Sequence, residues 1–310
     1  MEDEKKEKKS KSLWRPLLAA PLLFFLPPLS IGMYLTHPFP AKTSKNPKDY
    51  GIVFEEIEFH SRKDQIKLTG WWIPAASNQS DKTVITAHGY LNERSMERIE
   101  GLKLARVLSR QGYNVLMFDF RNAGKSKGRT TGLGFFEKHD LYAAIDYAIQ
   151  KKNQKKIALL GWSMGASTAL IAGCEHPSVS VIIADSPFSD LEPFLKENLS
   201  YWSKLPKKPF TPIIYHSMRK LLKIDPAKVS PINHVKNAKG KSFFFIHSKT
   251  DEAIPYTESK SLFQSVSADS HKELWLTEEC QHIQTYPMNK KEYTSRVVRF
   301  LDKYLRAVEN

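Results

Sequence analysis

The chain has 310 residues, enough for one large domain or two small ones, and its residue mix is that of a globular protein. Its formal net charge is +14, but the basic residues are spread along the chain and no recognised nucleic-acid-binding motif is present. We therefore expect no nucleic acid partner. An anionic lipid or cell-wall surface fits the charge better, and a basic face that only aids solubility is the simplest alternative. The two cysteines, Cys174 and Cys280, lie far apart in sequence, which argues against a metal site.

The amino-terminal region divides into a charged tail and an uncharged stretch. Residues 1–15 are rich in lysine and glutamate, whereas residues 16–36 carry no charged side chain over the length of a membrane span. More basic residues precede this stretch than follow it, so the positive-inside rule places the tail in the cytoplasm. These features predict a single-pass cell-membrane protein whose main domain lies on the extracytoplasmic side.

A cleaved signal peptide is the alternative interpretation of the same stretch. Its apolar core would be residues 17–26, and residues 30–32 would form a weak cleavage site of small residues. We favour an uncleaved transmembrane anchor at residues 16–36, followed at residues 37–49 by a linker rich in proline, lysine and serine. Residues 50–310 are then predicted to form one domain.

Strand and helix patterns alternate through this domain. Strands are predicted at residues 52–59, 66–73, 83–87, 113–120, 156–161, 179–184, 242–246 and 273–276. Helices are predicted at residues 96–108, 135–149, 256–266 and 289–308, and a further helix follows the strand that ends near residue 161. This alternation indicates an α/β fold, with a mostly parallel sheet covered by helices on both faces.

One segment, residues 187–231, breaks the alternation. It contains many large apolar residues but no strand pattern, and it lies between two predicted strands. We expect a helical lid above the carboxyl ends of the strands, where open α/β sheets bind ligands; ordinary helix packing is the alternative. Its basic residues would form a solvated face able to rest against anionic head groups: Lys207, Lys208, Arg219, Lys220 and Lys223.

The pentapeptide Gly161-Trp-Ser-Met-Gly165 lies where a buried strand pattern meets a helix pattern. In this context Gly-x-Ser-x-Gly is typical of a nucleophile elbow, a tight turn that exposes the serine hydroxyl above the sheet. The sequence therefore predicts Ser163 as a nucleophile.

A serine nucleophile needs a base and a group that orients the base. His282 follows the last predicted strand and so lies at the catalytic edge, whereas His271 precedes that strand; we predict His282 as the base. Asp251, in the loop after the preceding strand, is the predicted orienting acid. Asp185 is the second choice, and Glu252 would need a shifted loop.

The oxyanion of an acyl-transfer intermediate needs preplaced N–H donors. We expect them to be the backbone N–H groups of Met164, next to the nucleophile, and of Tyr90, since Gly89 lets the backbone approach. The side chain of His88 is expected to brace this loop.

Five sequence features of this domain belong together: His88-Gly89, residues 119–126, residues 161–166, the loop at Asp251, and His282. Together they resemble the α/β-hydrolase superfamily, from about residue 50 to the end of the chain. Residues 131–140 and 185–190 are similar to bacterial membrane-anchored members with esterase-like or unassigned activity. The resemblance implies hydrolysis of esters or related acyl compounds, with no metal or organic cofactor, and leaves the substrate open.

The predicted function is that of a serine hydrolase which cleaves carboxylic esters through an acyl-enzyme on Ser163. The aromatic residues of the predicted lid favour a small-molecule or lipid-like acyl substrate. A serine peptidase or a thioesterase on the same fold is the nearest alternative. An inactive hydrolase-fold binding module at the membrane surface is the alternative from another class; the presence of Ser163, Asp251 and His282 together argues against it.

Overall fold

The computed structural model describes Ser30 and residues 32–33, 35–77, 79–203 and 205–306. The predicted charged tail and residues 16–29 of the predicted anchor lie outside these residues. The strands are β1 (Glu55–His60), β2 (Lys67–Ile73), β3 (Lys82–Ala87), β4 (Asn114–Phe118), β5 (Lys156–Trp162), β6 (Val179–Asp185), β7 (Ser242–Ser248) and β8 (His271–Thr277). They form one sheet in the order β1-β2-β4-β3-β5-β6-β7-β8.

The sheet is mostly parallel, with antiparallel pairing at one edge. The β1–β2 and β2–β4 pairs are antiparallel, and all other neighbouring pairs are parallel. Strands β4, β6 and β7 are buried along their whole length, so they read as continuous apolar runs rather than alternating ones. The predicted mostly parallel sheet is confirmed.

The α-helices are α1 (Gly101–Arg110), α2 (Glu137–Gln150), α3 (Met164–Glu175), α4 (Leu191–Ser203), α5 (Lys207–Lys220), α6 (Pro231–Asn237), α7 (Thr257–Ser265), α8 (Thr285–Met288) and α9 (Lys290–Tyr304). One core layer packs α2, α3 and α7 on one face of the sheet. A second layer packs α1 and α9 on the other face. Helices therefore cover both faces, as the alternating sequence pattern predicts.

Several element boundaries differ from the prediction by up to five residues. The helix predicted from residue 96 begins instead at Gly101, because Met96 and Glu100 adopt left-handed φ angles of 47° and 53° on either side of a 3-10 turn, Glu97–Ile99. The last strand begins at His271, which was expected just before it. His271 still lies at the amino end of that strand, opposite the predicted catalytic edge.

Residues 187–231 form an inserted helical segment and contain no strand among their described residues. They contribute α4, α5, a 3-10 helix at Pro226–Lys228 and the first residue of α6. Their apolar side chains build a third cluster with Ile171 of α3 and Ile254 of the loop after β7. This cluster joins the inserted segment to the carboxyl edge of the sheet.

The last residues of the predicted anchor belong to this domain. Thr36 is fully buried, and the hydroxyl of Tyr90 donates a hydrogen bond to the carbonyl of Leu35 over 2.8 Å. Three more bonds hold the next residues: Thr131 N–H to Thr36 O, Asn122 Nδ2 to Pro38 O, and Gly124 N–H to Ala41 O. Within the described part of the chain, no helix has the length and apolar character needed to cross a bilayer.

Candidate active site

The predicted nucleophile lies in the tight turn between β5 and α3. Ser163 has φ 55° and ψ −124°, a conformation that costs a non-glycine residue about 1–3 kcal/mol. Two backbone hydrogen bonds hold it: its N–H donates to Asp185 O over 2.9 Å, and its carbonyl accepts from the N–H of Ser167 over 3.1 Å. The surrounding strand and helix thus fix the strained turn that the pentapeptide predicts.

The two glycines of the turn are required by close backbone contacts. A Cβ on Gly161 would lie 2.5 Å from the carbonyl oxygen of Gly165, and a Cβ on Gly165 would lie 2.1 Å from that of Ala87. No side chain fits at such distances without a movement of the backbone. The glycines therefore allow α3 to cross close to β3 and β5.

The structure brings the three predicted catalytic side chains together. The Nε2 atom of His282 lies 2.9 Å from Ser163 Oγ, and its Nδ1 atom lies 2.6 Å from Asp251 Oδ2. Because the carboxylate accepts the Nδ1–H, Nε2 is left to accept the serine proton. The three residues follow β5, β7 and β8, whose carboxyl ends meet at this edge of the sheet.

The environment of Asp251 keeps its carboxyl group ionised. Burial raises its pKa, but the hydrogen bonds from His247 and His282 outweigh burial and hold the pKa well below its usual range. The second oxygen, Oδ1, accepts the backbone N–H groups of Ala253 over 2.9 Å and Ile254 over 3.0 Å. A charged acid is thus fixed behind the imidazole.

The two alternative acids lie elsewhere. Asp185 is fully buried beneath the turn, where Ser186 Oγ donates to its Oδ1 over 3.0 Å, and burial raises its pKa to about 6. Glu252 is exposed on the surface. Of the three predicted candidates, Asp251 is the one whose carboxylate oxygen is 2.6 Å from the His282 ring.

The residues predicted to stabilise the oxyanion flank the nucleophile. A Cβ on Gly89 would lie 3.3 Å from Ser163 Cβ, so the loop after β3 passes directly beside the serine. Tyr90 and Met164 both line the same cavity as Ser163. The two loops that carry the predicted N–H donors therefore both reach the site.

His88 joins two loops, as predicted. Its Nδ1–H donates to Gly89 O over 2.8 Å, and its Nε2 accepts the backbone N–H of Phe120 over 3.0 Å. Burial lowers the pKa of His88 to about 4, so the ring is neutral at pH 7.

An apolar cavity of about 100 Å³ adjoins the serine, with Ser163 and His282 in its lining. Most of its other side chains are apolar, and half of them come from the inserted helical segment: Phe188, Leu191, Phe194, Leu195 and Leu199. Leu35 and Ile254 add to the wall. Such a space suits a hydrocarbon group better than a charged one.

Sequence reasoning missed two residues of this site. Leu35 lies within the predicted anchor, so nothing in the sequence pointed to a role in the cavity wall. His247 is the penultimate residue of β7, and a polar residue after an apolar run was the available signal. Its Nε2 lies 2.9 Å from Ile254 O and 3.3 Å from Asp251 Oδ2, and its Nδ1 lies 2.7 Å from Ser259 Oγ.

Comparison with known proteins places the chain in a family. The alpha/beta hydrolase fold family matches residues 82–213. The uncharacterized protein YqkD of Bacillus subtilis is 31% identical over 264 residues, which cover 81% of this chain and 82% of YqkD. The chain belongs to the α/β-hydrolase superfamily. The resemblance of the sequence motifs is therefore confirmed.

Two further relatives of this α/β-hydrolase have assigned names. The esterase Pf2001 of Pyrococcus furiosus has 30% identity and a TM-score of 0.70, and the alignment covers 86% of this chain and 99% of Pf2001. A chicken lysophosphatidylserine lipase, ABHD12, is 26% identical over 65% of this chain and 50% of the lipase. The family and its esterase and lipase relatives support hydrolase activity. Among the described residues, no group of three or more His, Cys, Asp or Glu side chains is arranged to hold a metal ion.

Proposed function

We propose that this α/β-hydrolase is a serine hydrolase that cleaves carboxylic esters through an acyl-enzyme on Ser163. The observation that carries the proposal is the line of hydrogen bonds from Ser163 through His282 to Asp251. The likeness to esterase Pf2001 supports the same reaction class.

In the acylation step, His282 Nε2 removes the hydroxyl proton while Ser163 Oγ attacks the ester carbonyl carbon. The ionised Asp251 stabilises the imidazolium that forms. As the tetrahedral intermediate collapses, the C–O bond to the alcohol breaks and His282 gives its proton to the departing alkoxide oxygen. The acyl group is then bonded to Ser163.

Deacylation repeats these roles with water. His282 removes a proton from a water molecule as its oxygen attacks the acyl carbon, and the proton then passes to Ser163 Oγ as the carboxylic acid leaves. In both steps the oxyanion receives hydrogen bonds from the backbone N–H groups of Tyr90 and Met164. One such donor is worth about 3–4 kcal/mol of barrier in related chemistry.

The cavity favours an apolar acyl group of limited length. A dry apolar cavity of about 150 Å³ holds a benzene molecule, so one of about 100 Å³ suits a short acyl chain. A longer chain would need a displacement of α4, which supplies several of the walls. The lining offers no carboxylate to hold a peptide's amino terminus, which favours esters over peptides.

The test uses the full-length protein in mild detergent and p-nitrophenyl esters from acetate to palmitate. We expect Ser163→Ala and Asp251→Asn to lower kcat by about 10⁴-fold or more with little change in KM. Glu252, the exposed neighbour of Asp251, provides the control. The Glu252→Gln variant should hydrolyse each ester at close to the parent rate.

Labelling with a fluorophosphonate separates the enzyme from the inactive binding module. The parent protein should react at Ser163, and Ser163→Ala should not. A parent protein that neither reacts with the fluorophosphonate nor hydrolyses any ester would overturn the proposal.

We retain the membrane anchor and the extracytoplasmic placement of the domain as part of the proposal, on the charge pattern of residues 1–48.

A further inference from the structure

Exposed apolar side chains are concentrated around the cavity. The described residues include six strongly exposed large hydrophobic side chains: Met33 at 41%, Phe39 at 91%, Val53 at 78%, Leu91 at 52%, Leu221 at 62% and Met288 at 59%. Single exposed apolar residues are common, but a group beside a binding site marks an interaction surface. Met33, Phe39 and Leu91 are neighbours of residues that line the cavity, and Leu221 lies at the carboxyl end of α5 in the inserted segment.

The positions of Met33, Phe39 and Leu91 follow from their neighbours. Leu35 is part of the cavity wall, and Met33 and Phe39 lie just before and just after it in the chain. Phe39 and Leu91 share a shallow recess with Tyr90, whose side chain also lines the cavity. These three exposed side chains therefore lie on the rim of the cavity.

Leu221 extends the rim across α5. A Cβ on Gly32 would lie 3.2 Å from Ser217 Oγ, so the chain just before Met33 rests on this helix. The N–H of Leu221 donates to Ser217 O over 2.9 Å, which places Leu221 one turn further along the same helix face. We call Met33, Phe39, Leu91 and Leu221 the rim patch.

Positive charge borders the rim patch. The sequence has no acidic residue between Glu197 and Asp225, and the basic residues in that interval are Lys204, Lys207, Lys208, Arg219, Lys220 and Lys223. Arg219 pairs with Asp225 over 3.1 Å, while Lys220 and Lys223 are exposed on either side of Leu221 and Leu222. Apolar side chains bordered by lysines match the boundary between the acyl chains and the anionic head groups of a bilayer.

The chain that precedes the rim patch points to the same partner. Residues 16–32 carry no charged side chain, and they lead directly to Met33. If this stretch enters a bilayer, the rim patch is the first part of the domain to meet the lipid surface. A water-soluble protein partner would not account for an uncharged stretch of this length just before Met33.

We propose that the rim patch docks on an anionic lipid bilayer, and that the cavity receives a single-chain amphiphilic ester directly from the adjoining leaflet. This inference rests on the proposed ester hydrolysis. The rim side chains enter the boundary of the acyl chains, the nearby lysines contact anionic head groups, and the substrate's short acyl group passes from lipid to cavity without crossing water.

The experiment compares two substrates for the full-length protein reconstituted in vesicles. One substrate is a soluble short-chain p-nitrophenyl ester; the other is a short-chain acyl ester of a long-chain alcohol, mixed into the vesicles. Phe39→Asp and Leu221→Asp should each lower hydrolysis of the embedded ester about tenfold, because a charge replaces a large apolar side chain that lipid would bury. Hydrolysis of the soluble ester should stay within about twofold, since neither side chain lines the cavity.

Val53→Asp is the matched control. Val53 is also strongly exposed, but it lies two residues before β1, near the edge of the sheet where β4 begins. That edge is opposite the active site, so the variant should hydrolyse both esters at the parent rate. An equal loss of embedded-ester hydrolysis in Val53→Asp and Phe39→Asp would contradict docking through the rim patch.

A charge test uses vesicles of phosphatidylcholine with and without phosphatidylglycerol. Hydrolysis of the embedded ester should be faster with the anionic lipid, and Lys220→Glu combined with Lys223→Glu should remove that preference. No preference in the parent would overturn the anionic docking surface. The soluble ester separates the two proposals. If the parent protein does not hydrolyse the soluble ester, the proposed ester hydrolysis is wrong. If Phe39→Asp hydrolyses the embedded ester at the parent rate, only the proposed docking is wrong.

Discussion

Individual residues around Asp251 account for how its carboxylate is held. His247 Nε2–H points to Ile254 O and Asp251 Oδ2, and Ser259 Oγ lies beside its Nδ1. His247 lies 3.3 Å from the acid and acts on the reaction through it. It is therefore a positioning residue, and its loss should alter kcat rather than substrate binding.

We predict that His247→Leu lowers kcat for ester hydrolysis about tenfold while KM changes little. His247→Gln keeps a side-chain N–H donor and should restore part of the rate. Steady-state kinetics of both variants provide the measurement. Equal losses in the two variants would indicate a packing role instead.

A second residue-scale prediction concerns His88 and pH. Burial lowers its pKa to about 4, against 6.5 for an unperturbed histidine. Between these values the unfolded chain binds a proton that the folded chain does not, so stability falls as pH falls. The loss should reach about 2 kcal/mol at pH 5. The buried carboxyl of Asp185, with a pKa raised to about 6, has the opposite effect in the same range.

A variant at His88 separates its contribution to the pH dependence of stability from that of Asp185. The difference in the free energy of unfolding between the parent protein and His88→Gln should shrink by about 2 kcal/mol from pH 7 to pH 5. Urea denaturation followed by tryptophan fluorescence measures it. If the difference in the free energy of unfolding is the same at pH 7 and pH 5, His88 does not titrate as its burial requires.

Among the elements, the β5–α3 unit depends most on backbone contact. Gly165→Ala would place a methyl group 2.1 Å from a carbonyl oxygen of β3, and we expect it to destabilise the protein by at least about 3 kcal/mol or to prevent folding. Gly173→Ala on the same helix is the control. Its Cβ would meet the side-chain tip of Ile182 at 2.7 Å, which can move. Thermal unfolding should show a clearly smaller loss for Gly173→Ala.

The elements that sequence reasoning predicted well are those whose pattern is dictated by burial. β6 and β7 are buried on both faces, so their apolar runs are continuous, and the prediction differs from the structure by at most two residues. The start of α1 was missed because left-handed residues leave no apolar signature. The nucleophile, base and acid could be ordered from strand ends alone, because a parallel sheet brings those ends together.

At the scale of the whole molecule, residues before the predicted domain start at residue 50 pack against the rest of the chain. Thr36 and Pro38 are buried, and the chain from Leu35 to Ala41 is hydrogen-bonded to two other loops, the one after β3 and the one after β4. No periodicity marks these contacts, since most of the stretch forms neither helix nor strand. Sequence patterns alone could not separate this stretch from its surroundings.

We predict that a chain beginning at residue 42 is less stable than one beginning at residue 30. The melting temperature should fall by about 5 °C or more, because buried contacts of Thr36 and Pro38 are lost. Hydrolysis of esters that fill the cavity should also fall, since Leu35 forms part of its wall. Calorimetry and ester kinetics on the two chains check both effects, and equal melting temperatures would show that this stretch contributes nothing to stability.

The origin of the cavity walls has a consequence for divergence within the family. Ser163, Asp251 and His282 lie on loops of the sheet, whereas the inserted helical segment supplies half of the other lining residues of the cavity. Under the proposed function, reaction chemistry and acyl preference therefore depend largely on separate stretches of the chain. Mutation of the insertion can change which ester is accepted while the proton-transfer machinery stays intact, so two such hydrolases can share a mechanism and serve different metabolic needs.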